Sequence, residues 1–227
     1  MKMDWSGIKG SPLFSDIAEE DVKKICGCLS VRERQLKRDS FVFSTGDRVR
    51  SVYMILSGSV HIIDEDFWGN RSIIGTMEKG TLFGEAYVFS LKKNHLVSVI
   101  AAEDAIVLEI DPKSLFETCP NGCACHEQLI KNTLYILSEK IVRLTEKLGH
   151  IVRRTIQEKI LSYLSKCAQH EKSSTFTIPY SRQQLADYLC VDRSALSHEL
   201  SRLQKEGMIR YRKNQFELLI SRDEIGG

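Results

Sequence analysis

The chain has 227 residues, with 32 basic and 30 acidic side chains and a formal net charge of +2. Hydrophobic residues make up 42% and charged residues 27% of the chain, which excludes wholesale disorder and a collagen-like structure. The length corresponds to one large domain or two small ones. A net charge of +2 gives no whole-chain reason to expect nucleic acid or a membrane as a partner.

The sequence carries no obvious export or membrane signal. Its first residues lack the apolar core of a signal peptide, and no stretch approaches the roughly 18 apolar residues of a membrane span. We therefore expect a soluble, cytoplasmic protein. The seven cysteines form an odd number, which in this setting favours reduced thiols or ligands over a disulfide framework.

The N-terminal half has two textures. Residues 11–30 predict a short helical entry, because Ile17, Val22, Ile25 and Leu29 are spaced for one helix face. Glycine-separated β-rich runs follow, which predict an all-β barrel or jelly roll without βαβ alternation. The predicted strands are Phe41–Phe43, Val52–Leu56, Val60–Ile63, Ile73–Met77, Leu96–Ile100 and Ile106–Ile110.

The next segment has an apolar residue at alternating spacings of four and three, which is an a/d heptad pattern over three repeats. Such a narrow stripe predicts a long helix paired with a second copy of the chain. The alternative is a core helix on the barrel, which usually shows a wider stripe. The predicted dimerisation residues are Ile130, Leu134, Leu137, Ile141, Leu144, Leu148 and Ile151.

The last third begins with a predicted helix over Thr155–Ala168 and a linker at residues 173–175. Cys167 and Cys190 occupy apolar helical positions, so we expect both thiols to be buried. When the charges are divided at Pro120, the first part carries −3 and the second part +5. The two parts therefore favour different kinds of partner.

The most specific motif is a predicted helix-turn-helix. Ser181 and Gln184 form a capping box for its first helix, whose inner face includes the small Ala186. Asp192 caps a second helix with buried leucines at i, i+4 and i+7. The turn between the helices contains Cys190 and an inward-facing Val191.

The outer face of the second helix is polar, and two strands after it surround a basic turn at residues 212–214. Side chains near the start of such a helix reach base edges in the major groove, and a basic wing suits phosphate contact. The alternative is a helical hairpin that merely packs. The predicted DNA-contacting residues are Ser181, Arg182, Arg193, Ser194, Ser197, His198, Arg202, Arg212 and Lys213.

With these motifs in this order, the chain resembles the cyclic-AMP receptor protein and FNR superfamily of bacterial transcription regulators. The resemblance runs from about residue 11 to residue 221 and implies an α+β protein. It implies a jelly-roll effector domain (1–125), a dimerisation helix (126–151) and a winged helix-turn-helix domain (152–227). Ser194 and His198 depart from the family's glutamate and second arginine, so we expect an unusual DNA half-site.

The effector of the β-roll is not evident. Phe83-Gly84-Glu85 resembles the family's ribose-binding turn, but the arginine that neutralises a cyclic phosphate is replaced at the matching spacing by Leu96-Val97. No arginine occurs from residue 86 to residue 102. Burying a phosphate without a counter-charge is very costly, so we expect no cyclic AMP or cyclic GMP. The candidate effector pocket is Phe83, Gly84, Glu85, Leu96 and Val97.

A second candidate sensor lies just before the long helix. Cys119, Cys123, Cys125 and His126 fall within eight residues, and thiolate and imidazole ligands suit zinc, an iron–sulfur cluster, haem iron or thiol redox chemistry. The alternative is a loop of inert thiols. A change here can rotate the dimer helix.

These patterns predict a homodimeric transcription regulator that binds a pseudo-palindromic DNA duplex. We expect a small effector or a redox change to control it, and RNA polymerase to be a partner. A β-roll enzyme is disfavoured because the histidines lack metal-ligand spacing, so we expect no catalytic activity. A cyclic-nucleotide-binding module that acts on another protein is the remaining alternative.

Overall fold

A computed structural model describes residues 8, 10–65, 68, 71–90, 97–116 and 124–219. The chain divides into two compact units, residues 1–138 and 139–227, and the boundary falls inside the longest helix. The helices are α1 (Glu19–Cys28), α2 (Glu85–Val88), α3 (Pro112–Phe116), α4 (Ala124–Ile151), α5 (Ile156–Glu171), α6 (Arg182–Leu189) and α7 (Arg193–Lys205). A 3₁₀ turn, Pro12–Phe14, precedes α1.

Within its described residues, the first unit contains eight strands in two antiparallel sheets. One sheet has the order β1-β8-β3-β6 and the other β2-β7-β4-β5. The strands are β1 (Arg32–Leu36), β2 (Phe41–Phe43), β3 (Val52–Ser57), β4 (Ser59–Glu65), β5 (Arg71–Glu78), β6 (Leu82–Phe83), β7 (Val97–Ala101) and β8 (Ala105–Ile110). This arrangement confirms the predicted jelly-roll class.

The sequence of β3 is a continuous apolar run because both faces of the strand are buried. Val52, Met54 and Leu56 belong to the cluster that also holds buried side chains of α1 and α4. Tyr53 and Ile55 belong to the second apolar cluster of the roll, shared with strands of the other sheet. The roll therefore has one core between its sheets and another beneath its helices.

The start of α4 belongs to this first unit. Leu129 is fully buried, and Asn132 donates from Nδ2 to the carbonyl oxygens of Leu13 and Ser15 at 3.0 and 2.7 Å. The buried Thr133 hydroxyl donates to the Leu129 carbonyl within the helix. These contacts satisfy the polar groups that the helix buries.

The second unit is built on α5, α6, α7 and a three-stranded sheet of order β10-β11-β9. The strands are β9 (Thr175–Thr177), β10 (Ile209–Arg212) and β11 (Gln215–Leu218). The linker predicted at residues 173–175 is partly wrong, since Thr175 begins β9 and pairs with Glu217. Thr155 is the N-cap of α5 rather than its first residue, and α5 continues past Ala168 to Glu171.

The prediction of a buried Cys190 is also wrong. The residue is exposed and adopts a left-handed conformation with φ +52°, as the C-cap of α6. The turn directs its side chain outward, whereas the neighbouring Val191 packs against the core. Cys167 is partly buried, as its helical position suggests. Among the described residues, no helix is long and apolar enough to span a bilayer.

Candidate nucleic-acid interface

The two helices of the predicted motif begin at the expected caps. The Ser181 side chain accepts a hydrogen bond from the Gln184 amide, and the Gln184 side chain accepts one from the Ser181 amide at 2.8 Å. Asp192 accepts bonds from the amides of Ser194 and Ala195 at 2.8 and 2.9 Å. The Ser194 hydroxyl also donates to Asp192. This hydroxyl bond contributes most to lowering the pKa of the Asp192 carboxyl below its ordinary value, and the amide bonds act in the same direction. Each helix start is therefore fixed by its own sequence.

The inner faces of α6 and α7 close a single apolar core. Leu185, Ala186 and Leu189 of α6 are fully buried, as are Leu196, Leu200 and Leu203 of α7. The same cluster contains Phe176 and Phe216 from the sheet. Because one face of α7 is committed to this core, its opposite face lies on the surface at a defined angle.

The outer face of α7 presents the predicted reading residues. Arg193 and His198 are exposed and have no ion pair among the residues that the structure describes. The Ser194 hydroxyl donates to Asp192, and the Ser197 hydroxyl donates to the Arg193 carbonyl at 2.9 Å. Both hydroxyl oxygens retain acceptor capacity. Arg193 and His198 are therefore the predicted reading residues with unused hydrogen-bonding donors.

Arg202 lies one to two turns further along α7 and is engaged within the chain. Its guanidinium pairs with Glu199, lies 3.4 Å from a Glu206 oxygen and donates to Gln157 at 2.9 Å. The hydrogen bond with Glu199 raises the pKa of Arg202. The sequence predicts that Arg202 contacts DNA, but it does not predict these partners within the chain.

The predicted basic wing is a tight hairpin. Strands β10 and β11 pair from Ile209 with Leu218 to Arg212 with Gln215, leaving Lys213 and Asn214 at the turn. The side chains of Arg212 and Lys213 are exposed, and neither forms an ion pair in the part of the chain described. The wing thus offers two free positive charges for phosphate oxygens.

Arg182, the first residue of α6, does not point away from the protein. Its guanidinium carbon lies 4.9 Å from the Tyr211 ring centroid and 5.6 Å from that of Phe216, and Nη2 donates to the Lys213 carbonyl at 3.0 Å. These partners are about 30 residues away in sequence. Only the folded sheet brings them together, so helix periodicity alone could not reveal this contact.

The heptad residues differ in exposure along α4. Ile130 and Leu137 are half-buried in the first unit, and Ile151 is half-buried in the second. The remaining members are exposed in this single chain, which leaves a large apolar stripe on the surface. Their exposed fractions are Leu134 55%, Ile141 65%, Leu144 62% and Leu148 55%.

The β-roll turn predicted to hold an effector is tightly packed. Gly84 has φ +86°, and a Cβ there would lie 3.0 Å from the Tyr53 ring. Glu85 is buried, with 6% of its surface exposed. Phe83 stacks on Tyr53 with ring centroids 5.2 Å apart. Val97 is half-buried at the start of β7, and Leu96 lies outside the described residues.

The predicted cysteine cluster is only partly described. Cys119 and Cys123 lie outside the described residues, and Cys125 is half-buried. His126 is buried, with its Nε2 3.2 Å from the Ser114 carbonyl oxygen, and its Nδ1 has no hydrogen-bond partner in the described part of the chain. Within the described ranges, no three His, Cys, Asp or Glu side chains come together as a metal site.

Comparison with known proteins identifies both units. Residues 33–121 match the model of the cyclic nucleotide-binding domain, and residues 158–223 match the Crp-like helix-turn-helix domain. The cyclic AMP receptor protein of Thermus thermophilus is 24% identical, over 89% of this chain and 90% of the relative. The transcriptional activator FnrA of Stutzerimonas stutzeri is 24% identical, over 86% of this chain and 78% of the relative.

Solved structures support the same fold. CprK in complex with OCPA has a TM-score of 0.64 at 16% identity, covering 88% of this chain and 92% of the other. A CooA mutant from Carboxydothermus hydrogenoformans has a TM-score of 0.59 at 15% identity, covering 97% and 93%. From the two matched domains in this order and the regulators that share them, the chain belongs to the CRP/FNR family of DNA-binding transcription regulators.

Proposed function

We propose that two copies of this chain read a pseudo-palindromic duplex by placing the N-terminal part of α7 in the major groove. The observation that carries the proposal is the two-faced character of α7. Leu196, Leu200 and Leu203 are fully buried on one face, while Arg193 and His198 are exposed on the other. A helix fixed by its core in this way presents its polar face in one orientation, which base readout requires.

Each exposed group has a role in this proposal. Arg193 donates two hydrogen bonds to guanine O6 and N7, and His198 donates to an acceptor one helical turn away. Ser194 and Ser197 accept or donate at neighbouring bases. Phosphate contacts come from residues that flank the reading helix. These flanking residues are Ser181, Arg202, Arg212 and Lys213.

The exposed stripe of α4 supplies the dimer contact. Ile141, Leu144 and Leu148 repeat at the a/d spacing of a parallel two-stranded coil. A two-fold dimer requires two half-sites about one helical turn apart, roughly 34–36 Å between centres. RNA polymerase is the expected partner of a regulator bound at a promoter.

Cyclic AMP is not the proposed effector. The chain has no arginine between residues 86 and 102 to neutralise a cyclic phosphate, and the Gly84 turn is packed against the Tyr53 ring. The alternative function, a cyclic-nucleotide-binding module that acts on another protein, predicts tight cyclic AMP binding. Calorimetric titration with cyclic AMP distinguishes the two, and a micromolar or tighter dissociation constant would favour the alternative.

One observation favours a metal or thiol sensor around His126. Nε2 donates to the Ser114 carbonyl, and Nδ1 is buried without a hydrogen-bond partner among the described residues, so Nδ1 is the ring atom left for a ligand. Histidines that bind metals commonly donate their other ring N–H to a backbone carbonyl. His126 therefore fits a ligand role, and the thiols of Cys119, Cys123 and Cys125 are the remaining candidate ligands by sequence.

The sensor is tested by elemental analysis of anaerobically purified protein. We expect about one zinc or iron per chain, lost in the Cys123→Ser and His126→Gln variants. Cys190→Ser is the matched control, because its exposed thiol lies in the other unit. The absence of metal in all samples, with no change in DNA binding after thiol oxidation, would contradict the sensor.

The DNA-reading function is tested by selecting bound duplexes from a random pool, with anaerobic and oxidised protein in parallel. We expect an enriched sequence with two inverted half-sites. Arg193→Ala should weaken binding to that sequence by about 1–3 kcal/mol and relax the preference at one base pair. Lys205→Ala, at the far end of α7, should leave the preference unchanged. Recovery of an unenriched pool, or an unchanged affinity of Arg193→Ala, would contradict the proposal.

A further inference from the structure

Arg182 is the basic residue of the DNA-reading unit whose contacts differ most from its sequence prediction. Its position at the start of α6 suggests a phosphate contact, yet its side chain is half-buried against the wing. The guanidinium stacks over Tyr211 and lies 5.6 Å from the Phe216 ring centroid. These contacts direct the cation toward the sheet.

The wing turn is held by hydrogen bonds on two sides. Lys213 adopts a left-handed conformation with φ +55°, which is disfavoured for a residue with a Cβ atom. On one side of the turn, Ile178 and Asn214 hold each other. The Ile178 amide donates to the Asn214 carbonyl at 2.9 Å, and Asn214 Nδ2 donates to the Ile178 carbonyl at 3.2 Å. On the other side, Arg182 donates to the Lys213 carbonyl at 3.0 Å.

The chemistry of the side chain suits support better than phosphate binding. A planar guanidinium stacks on an aromatic ring while one edge donates a directed hydrogen bond, which the ammonium of lysine cannot do in the same geometry. Burial lowers the pKa of Arg182, which nonetheless stays charged at neutral pH. The desolvated charge is already balanced by ring faces and a carbonyl oxygen.

We propose that Arg182 is a positioning residue that holds the wing turn so that Lys213 meets a DNA phosphate, and that Arg182 itself makes no phosphate contact. This inference rests on the proposed DNA-reading function, because it presupposes that the wing touches the duplex. It assigns one phosphate contact fewer to each protomer than the sequence motif suggests.

The salt dependence of DNA binding tests this assignment. A fluorescently labelled duplex of mixed sequence is titrated with wild type, Arg182→Lys, Lys213→Gln and the double variant at several salt concentrations. The slope of log affinity against log salt falls by about 0.9 for each phosphate that the protein no longer neutralises. Arg210→Lys is the matched control, because this exposed arginine pairs with Glu217 on the same hairpin.

We expect Arg182→Lys, although it keeps the charge, to lose affinity by the same factor as Lys213→Gln, roughly threefold to tenfold for each phosphate. Both slopes should fall together, and the double variant should match Lys213→Gln alone. Wild-type affinity of Arg182→Lys, or losses that multiply in the double variant, would overturn the inference in favour of a direct phosphate contact. If the wild-type protein does not bind the duplex, the proposed function itself fails instead.

A second measurement needs no DNA. Hydrogen exchange of the Ile178 amide reports whether the wing turn is held, since that amide is bonded to Asn214. A positioning role predicts faster exchange in Arg182→Lys than in wild type, with an unchanged unfolding temperature. Equal exchange in the two proteins would overturn the positioning role, because a phosphate contact has no effect before DNA is present.

Discussion

The two units of the molecule differ in where several of their polar residues lie. In residues 139–227, Arg193, His198 and Lys213 lie on the surface of a closed apolar core. In residues 1–138, Glu85 and Ser98 are turned inside and buried. The Ser98 hydroxyl accepts a hydrogen bond from the Thr45 amide at 2.9 Å. Exposed polar groups remain available to a large partner such as DNA, whereas buried polar groups form hydrogen bonds within the fold.

The packing of the roll restricts how an effector can bind in its interior. Aromatic rings pack the interior of the roll, where Phe43 lies edge-on to Tyr87 at 5.9 Å and Tyr53 stacks on Phe83. A small effector must compete with these contacts or exploit a rearrangement of them. The proposed DNA-reading function requires no such rearrangement within α7, because Arg193 and His198 are already exposed. Residues 139–227 therefore indicate their class of ligand more directly than residues 1–138 do.

The largest predicted effect comes from the surface stripe of α4. Leu144→Glu should separate the dimer and weaken DNA binding by about a hundredfold or more, because each protomer then binds a single half-site and places a charge in an apolar seam. Analytical ultracentrifugation and a gel shift measure the two effects. Arg143→Gln makes the same change in net charge at the neighbouring exposed position outside the stripe and should leave both unchanged. A dimeric Leu144→Glu variant would show that another surface mediates dimerisation.

The next effect tests the interior of the roll. Gly58 has φ +75°, and a Cβ there would lie 2.6 Å from the Asp104 carbonyl oxygen. Gly58→Ala should therefore lower the free energy of unfolding by about 3 kcal/mol, through backbone strain and displacement of the neighbouring strand. Urea denaturation of DNA-free protein measures the change.

Gly46 provides the control for this variant. Its φ of +86° is equally unusual, but nothing lies within 4 Å of a Cβ built there. Gly46→Ala should cost only the left-handed backbone conformation, about 1–2 kcal/mol. Equal costs at the two glycines would mean that the roll tolerates crowding and that its packing is looser than the Gly58 distances indicate.

The same contrast explains how far the sequence predicts the molecule. Helix caps and periodic leucines are local signals, so the predicted starts of α6 and α7 are confirmed by the structure. Strand β1, Arg32–Leu36, escapes prediction because only Leu36 is buried and its pairing partner β8 lies about 70 residues away. The stacking of Arg182 on Tyr211 escapes prediction for the same reason. Sequence periodicity reports which face is buried and not which distant element covers it.

A smaller effect is expected at the start of α5, within residues 139–227. Thr155 forms a capping box with Glu158, whose amide donates to the threonine hydroxyl at 3.1 Å. Thr155→Ala should lower the free energy of unfolding by about 0.5–2 kcal/mol, because the Glu158 amide loses its partner. Thr155→Ser keeps the hydroxyl and should retain most of this stability in thermal denaturation. A loss of the same size in both variants would assign the effect to the threonine methyl group instead of the cap.

The smallest effect concerns His150, a polar residue that is buried within residues 139–227. Its Nδ1 lies 2.8 Å from the Ser162 hydroxyl, and its ring meets the Tyr163 ring edge-on with centroids 5.7 Å apart. Burial lowers the pKa of His150 below its ordinary value of 6.5, with Lys166 and Arg153 acting in the same direction and Glu146 opposing them.

Below pH 6.5 the unfolded chain then binds a proton at this histidine more readily than the folded chain does. Stability should therefore fall as the pH drops below about 6.5, until the folded histidine is protonated as well. Urea denaturation at several pH values should show a shallower pH dependence for His150→Asn than for wild type, because the variant lacks this ionisable group. Identical pH dependence in the two proteins would mean that His150 is solvated in the native state and does not share the buried environment of Glu85 and Ser98.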